Sequence, residues 1–223
     1  MLEIEVTSAL SDRERQRAAQ RAAAVLRAGG VVIHPTETVY GIGGDGSARN
    51  NAVISRIKGR SAVQPLILLA ASVESAQEFL PGLEWSQVLL TVAERLWPGP
   101  LTVIVRCAEA PAGLSGPGGG VALRVTPDPT VRAILKVWGR PMTSTSANLT
   151  GAPPARSLSA ALELLKQRDD LDDLSLPALA IDAGSSAGER PSTIVSFVES
   201  PPRLVREGPV GRNDLSRWID DIR

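Results

Sequence analysis

The 223 residues are 43% apolar and 22% charged, and 24 Lys plus Arg balance 24 Asp plus Glu, which excludes a disordered chain and any global positive field that would hold nucleic acid nonspecifically. One cysteine and one histidine exclude an internal disulfide, a two-histidine metal site and a Cys/His zinc cluster. No run approaches the ~20 apolar residues of a membrane span, and the start MLEIEVTSALSDRERQR lacks a basic region followed by an apolar one, so the expectation is a soluble cytoplasmic protein in a reducing setting, with no membrane partner.

Ser11 and Asp12 read as the N-cap region of a helix running to about Ala28, stopped by Gly29 and Gly30, with VVIHP starting a buried strand. A second helix is predicted over Asn50 to Lys58, then a strand at PLILLA, then helices from Ser72 and from Glu84 that end before WPGP, where Pro98 and Pro100 force the stop. Strands follow at LTVIVR and VALRV, joined by APAGLSGPGGG, a composition that suits a mobile connection or flap. A helix over Pro129 to Trp138, the polar segment PMTSTSAN, a helix from Ser157 to about Arg168, and strands at Leu179 to Asp182, STIVSFV and PRLVREG complete the order. A short helix over Asp214 to Ile219 closes the chain. The alternation defines an α/β class. No cluster of Pro, Gly and Ser is long enough to separate domains, so one domain is expected over 1–223, with its core at about 11–208 and a short tail at 209–223.

Several motifs are set aside. GIGGDG fits the dinucleotide pattern G-x-G-x-x-G, but seven residues, His34 to Tyr40, separate it from the strand, and no acid ends the next strand, so a tight glycine turn is the better reading. There is no P-loop. His34 could serve a Ser/His/Asp triad, but no G-x-S-x-G elbow accompanies it and it reads as packed; Cys107 reads as a half-buried apolar residue; RDDLDDL reads as a solvated loop.

Three segments carry more polar residues than loops of their length need, at strand ends where α/β sites form. In KGR, Lys58 and Arg60 flank a glycine at a helix end, where they either offer two cations to a polyphosphate or complement the helix dipole. TSTSAN sets Thr143, Ser144, Thr145, Ser146 and Asn148 close together, as anion partners or as a serine-rich turn with an Asn cap. In PTETVYG, an extended chain would place Thr36, Thr38 and Tyr40 on one face and Glu37 and Val39 on the other.

The ordered series PTETVYG, KGR with QPL, WPGPLT, VALRV, SAN with LTG, STIV and LVREG resembles the threonylcarbamoyl-AMP synthase family, also called Sua5/YrdC/TsaC, over roughly His34 to Gly208 and in its short form. The resemblance implies a YrdC-like fold, a twisted mixed β-sheet with flanking helices around a concave, locally basic site. It implies a nucleotidyltransferase that makes L-threonylcarbamoyladenylate and pyrophosphate from L-threonine, bicarbonate and ATP with Mg2+, for N6-threonylcarbamoyladenosine in tRNA. By the same carry-over Lys58 and Arg60 are catalytic, and Lys58, Arg60, Gln64, Ser146, Asn148 and Arg206 bind ATP. Thr36, Thr38, Arg124, Ser144 and Ser192 hold threonine, with Thr193 a close neighbour, and no protein metal site is implied. The family reads KGRP, then Asn before PL, then a His; Ser61, Gln64 and Leu69 stand at those positions here, and Leu69 cannot hydrogen-bond.

Partner proteins of tRNA modification and weak RNA binding also follow from the resemblance. A YrdC-fold RNA binder without chemistry is the first alternative, opposed by zero net charge and by seven aromatic residues (four Trp, two Phe, one Tyr), too few for a stacking platform. A nucleotide-binding paralogue that makes no threonylcarbamoyl product is the second. The glycine-rich 111–120 loop and the C-terminal segment are the candidate lids.

Overall fold

The computed structural model describes residues 5–60, 65–111, 113–168, 170–171 and 176–223. In chain order the elements are β1 (Glu5–Ser8), α1 (Asp12–Arg27), β2 (Val32–His34), β3 (Gly41–Gly44), α2 (Ala48–Ile57), β4 (Ile67–Ala70), α3 (Val73–Phe79), α4 (Gln87–Leu96) and β5 (Leu101–Arg106). The rest are β6 (Gly120–Val125), α5 (Pro129–Trp138), β7 (Met142–Ser146), α6 (Leu158–Lys166), β8 (Leu179–Asp182), β9 (Thr193–Ser196), β10 (Arg203–Arg206) and α7 (Arg212–Leu215). The strands form one sheet in the order β1-β8-β2-β3-β7-β4-β6-β5-β9-β10. Parallel pairs (β1/β8, β2/β8, β4/β6, β5/β9) and antiparallel pairs (β2/β3, β3/β7, β4/β7, β5/β6, β9/β10) are combined in it, so the sheet is mixed and flanked by helices, as expected.

Helix starts follow the caps legible in the sequence. Ser11 accepts from the Glu14 amide, and the Glu14 carboxylate accepts from the Ser11 amide at 2.9 Å, closing a capping box. Asp128 caps α5 through the amides of Thr130 and Val131, and Pro129 opens it. Helices α1 and α5 lay Ala18, Ala22, Leu26, Val131 and Ile134 on Val32, Leu69, Met142 and Ile181. Ile54 and Ile57 of α2 and Ala161 and Leu164 of α6 pack with Ile33, Ile42 and Ala180, which belong to β2, β3 and β8. A third cluster joins β5, β6, α3 and α4 to Val210, Leu215 and Ile219, so the segment beyond 208 is packed into the core.

Five expectations are corrected. GIGG is the central strand β3, buried throughout, and not a glycine turn; a Cβ at Gly44 would stand 1.5 Å from Asn50 Oδ1, which leaves room for glycine alone. TSTS is strand β7 between β3 and β4, and its buried Thr143 is satisfied by donating to the Gly44 carbonyl at 3.2 Å. PTETVYG is bent, because the Thr36 hydroxyl accepts from the Thr38 and Val39 amides (both 3.2 Å) and donates to the Val39 carbonyl at 2.7 Å; the polar alternation of an extended chain does not arise. The glycine-rich connection is anchored rather than loose: Leu114 is buried, and the Gly113 carbonyl accepts from Asn51 Nδ2 at 3.1 Å. The last helix also falls earlier than expected, over Arg212–Leu215, with Asp214 accepting from the Gly211 amide. Part of RDDLDDL lies outside the described residues; within it Arg168 pairs with Asp170 at 2.6 Å and donates to the Arg56 and Ile57 carbonyls at the end of α2.

Candidate active site

Beside the sheet lies a cleft of about 570 Å³, part of it open to solvent. Thr36, Thr38, Arg60, Arg124, Ser144, Ser146, Ser192 and Arg206 all line it, although they are drawn from segments that begin near residue 36 and end near 206. They come from the bend after β2, the turn after α2, β6, β7, the approach to β9, and β10. Ile67 and Leu69 of β4 supply its apolar wall.

Helix α2 ends in a Schellman motif. The Gly59 amide bonds the Arg56 carbonyl, and the Arg60 amide the Ser55 carbonyl, both at 3.0 Å, while Gly59 takes φ +65°. That left-handed step is what the glycine of KGR is for, and it sends Lys58 and Arg60 to different fates. Lys58, 2% exposed, has its three N–H bonds on the Ser146 carbonyl, the Asn148 carbonyl (2.8 Å) and Asn148 Oδ1 (3.0 Å). It does not line the cleft; it ties the end of α2 to the loop after β7. Burial, then the charge of Arg60, lowers its basicity to about 7. Arg60 lines the cleft, and its Nε and Nη1 are buried with no partner among the described residues. Burial lowers its basicity as well.

Asn148 is likewise consumed locally. Its Oδ1 accepts from Lys58 and from Ser146 Oγ, and its Nδ2 donates to the carbonyls of Leu149 (2.9 Å) and Ala152 (2.6 Å). Lys58, Ser146 and Asn148 therefore form one hydrogen-bonded joint. Thr150 adds amide and hydroxyl bonds to the Lys58 carbonyl, each 3.1 Å, so the LTG that follows SAN serves the same joint.

Elsewhere in the cleft Arg124, 4% exposed, donates to the Gly99 carbonyl (3.2 Å), to Thr38 Oγ1 (3.2 Å) and to Glu37, whose other oxygen accepts from Thr126 at 2.8 Å. Thr38 in turn donates to Thr36 at 2.9 Å. Arg206 donates to the Ser192 carbonyl through Nε (3.0 Å) and Nη2 (2.8 Å), and Ser192 Oγ meets Thr102 at 2.8 Å. Burial, then Arg124, lowers the Arg206 basicity. Thr193 stays out of the cleft: its hydroxyl donates to the Val210 carbonyl and accepts from the Gly208 and Val210 amides.

Gln64 and Ser61 lie outside the described residues. Sequence reasoning missed Glu37, the partner that fixes Arg124, and the bond between His34 Nε2 and Ser144 Oγ at 3.1 Å. Glu37 stood between two threonines already singled out, and the signal for His34 was a pair of glycines, Gly41 and Gly43, at alternate positions of the neighbouring strand. Among the described residues no group of three or more His, Cys, Asp or Glu could hold a metal, no described helix is long and apolar enough to cross a membrane, and no described residue of the 111–120 loop lines the cleft.

Three guanidinium groups line a hydroxyl-rich cleft on a mixed sheet flanked by helices, so the class is an α/β protein whose cleft has the donors an anion would need. The Sua5/YciO/YrdC family model, described as telomere recombination, matches residues 24–208, and the chain belongs to this family. A threonylcarbamoyl-AMP synthase of Xanthomonas campestris pv. campestris (strain B100) is 39% identical over 152 residues, which is 67% of this chain and 81% of that protein. The crystal structure of P. abyssi Sua5 complexed with L-threonine matches with a TM-score of 0.84 and 29% identity, over 99% of this chain and 62% of that one, so this chain spans under two thirds of its length. E. coli YciO, at 24% identity and a TM-score of 0.77, shares the fold over 96% of this chain and 99% of its own.

Proposed function

We propose that this chain is an L-threonylcarbamoyladenylate synthase, a nucleotidyltransferase that acts in the formation of N6-threonylcarbamoyladenosine in tRNA. The observation that carries the reading is the edge of Arg60, whose buried Nε and Nη1 have no partner among the described residues, in a cleft shared with Arg124, Arg206 and three serines, since guanidinium donors at a concave site suit an anion. The name of the Xanthomonas relative and the L-threonine complexed with P. abyssi Sua5 support the same reading.

In the proposed reaction the amine of L-threonine captures bicarbonate to give a carbamate and water. A carbamate oxygen then attacks the α-phosphorus of ATP in line; the new O–Pα bond replaces the bond to the β-phosphate bridging oxygen, and pyrophosphate leaves. The residues' task is positioning and charge stabilisation. Arg60 meets the phosphates, with Arg206 beside them. Arg124, held by Glu37 and Thr38, faces the amino acid together with Ser144 and Ser192. Lys58 acts behind the wall by fixing Ser146 and Asn148, which the ATP side requires. Among the described residues that line the cleft there is no carboxylate, and the neighbouring Glu37 is committed to Arg124 and Thr126; Mg2+ would enter with the ATP phosphates, whose charge it offsets. The product, a mixed anhydride, would pass to a partner protein that modifies tRNA.

Incubation with ATP, Mg2+, L-threonine and bicarbonate tests this: pyrophosphate release should require both co-substrates. Release that ignores threonine sinks the substrate assignment. It would favour the nucleotide-binding paralogue, to which Leu69, apolar where the family carries a histidine, lends support.

A further inference from the structure

His34 is the protein's one histidine, fully buried, and it has no part in the chemistry above. It ends β2, and its hydrogen-bond partner Ser144 lies two strands away on β7, with β3 between them. The register opposes His34 to Gly41 and Ser144 to Gly43, so β3 presents only glycines along the line that joins the two side chains. Strands stand ~4.8 Å apart, and an imidazole can cross one only if nothing projects from it. A Cβ at Gly41 would lie 2.7 Å from His34 Cε1 and 2.8 Å from Ser144 Oγ; one at Gly43 would lie 3.1 Å from His34 Nε2. The glycines that mimic a dinucleotide fingerprint are thus a passage for this ring.

The tautomer follows from the partners. His34 Nδ1 stands 2.9 Å from the Pro35 carbonyl, which can only accept, so Nδ1 carries the proton. Burial, and secondarily the charge of Arg124, lowers the ring's basicity to about 4, leaving it neutral. Nε2 then holds a lone pair, and the hydroxyl of Ser144 must donate to it. A serine has one proton; once that is spent, Ser144 Oγ meets the cleft with lone pairs alone.

We infer that His34 is a positioning residue that makes Ser144 an obligate hydrogen-bond acceptor, so that the cleft takes an amino acid presenting an N–H or O–H to that oxygen and turns its carboxylate elsewhere. This deepens the threonine reading and rests on it. The test is steady-state pyrophosphate release by the full chain with L-threonine and ATP varied separately, for His34→Leu, His34→Gln, Ser144→Ala and the double variant His34→Leu/Ser144→Ala. His34→Leu should raise KM for threonine about 10-fold, the size of one lost hydrogen bond, with KM for ATP within about twofold. His34→Gln, whose amide can accept near the Nε2 position, should recover most of the loss, and the double variant should be no worse than Ser144→Ala. An unchanged threonine KM in folded His34→Leu, equal losses for both substrates, or multiplying effects in the double variant overturns the inference. The 15N shifts of the single imidazole read the tautomer without turnover: a proton on Nε2 overturns it even if His34→Leu fails to fold. Absence of threonine-dependent release by the unaltered protein instead defeats the proposed function and leaves the tautomer result standing.

Discussion

Two arginine-bearing regions of the cleft, around Arg124 and around Arg60, treat their cations differently. Arg124 is held on three sides by Glu37, Thr38 and the Gly99 carbonyl, whereas Arg60 leaves Nε and Nη1 without a partner among the described residues. A guanidinium braced before the ligand arrives orients it at little further cost in ordering; one with buried, unpaired donors gains most when an anion arrives. The contrast repeats inside KGR, where Lys58 spends all three N–H bonds on the protein and Arg60 keeps Nε and Nη1 without a partner among the described residues.

That contrast breaks most readily at Arg60. Arg60→Ala should lower kcat/KM for ATP by about 10²-fold or more with the thermal midpoint hardly moved; a fall under threefold would show that its guanidinium does not meet the phosphates. Lys58→Met should cost about 3 kcal/mol in urea unfolding, because it strands the Ser146 and Asn148 acceptors, and activity should fall along with stability. Loss of activity at full stability would return Lys58 to the ligand side. In the braced region, Glu37→Gln should cost about 2 kcal/mol and weaken threonine more than ATP, since Arg124 keeps its charge and loses its tether.

Smaller effects sharpen the picture. The His34 ring binds a proton below about 4 in the fold but at its ordinary value of 6.5 when unfolded. Between these values the unfolded state holds more protons, so stability is full above pH 6.5 and drains as pH falls toward 4, by at most ~1.4 kcal/mol per pH unit. His34→Gln should flatten that slope in acid denaturation; an identical slope would mean the ring titrates normally. Least of all, Leu69→His should lower KM for threonine by about threefold, as a polar contact replaces an apolar one.

The helices were legible because their signals are local. Ser11 with Glu14 writes a capping box, Asp128-Pro129 writes a start, and Gly59 writes a stop. Strands β3 and β7 were not, since GIGG and TSTS look like a turn and a polar loop until their neighbours are known; what makes each a central strand is pairing with segments far away in the chain. The site residues were recognisable as a set from their order, but their individual duties were not. Asn148 and Lys58 carry the right chemical groups and spend them on each other, while Glu37 and His34 act through Arg124 and Ser144.

Composition and motif order alone determined the α/β class and the family, because these depend on residue types and local spacing. Which donors are spent on the protein, which hydroxyl may only accept, and where glycine is required for a side chain to cross a strand were decided by the tertiary structure. Hydrogen-bonding capacity is finite, and only the folded neighbourhood shows where each proton has gone.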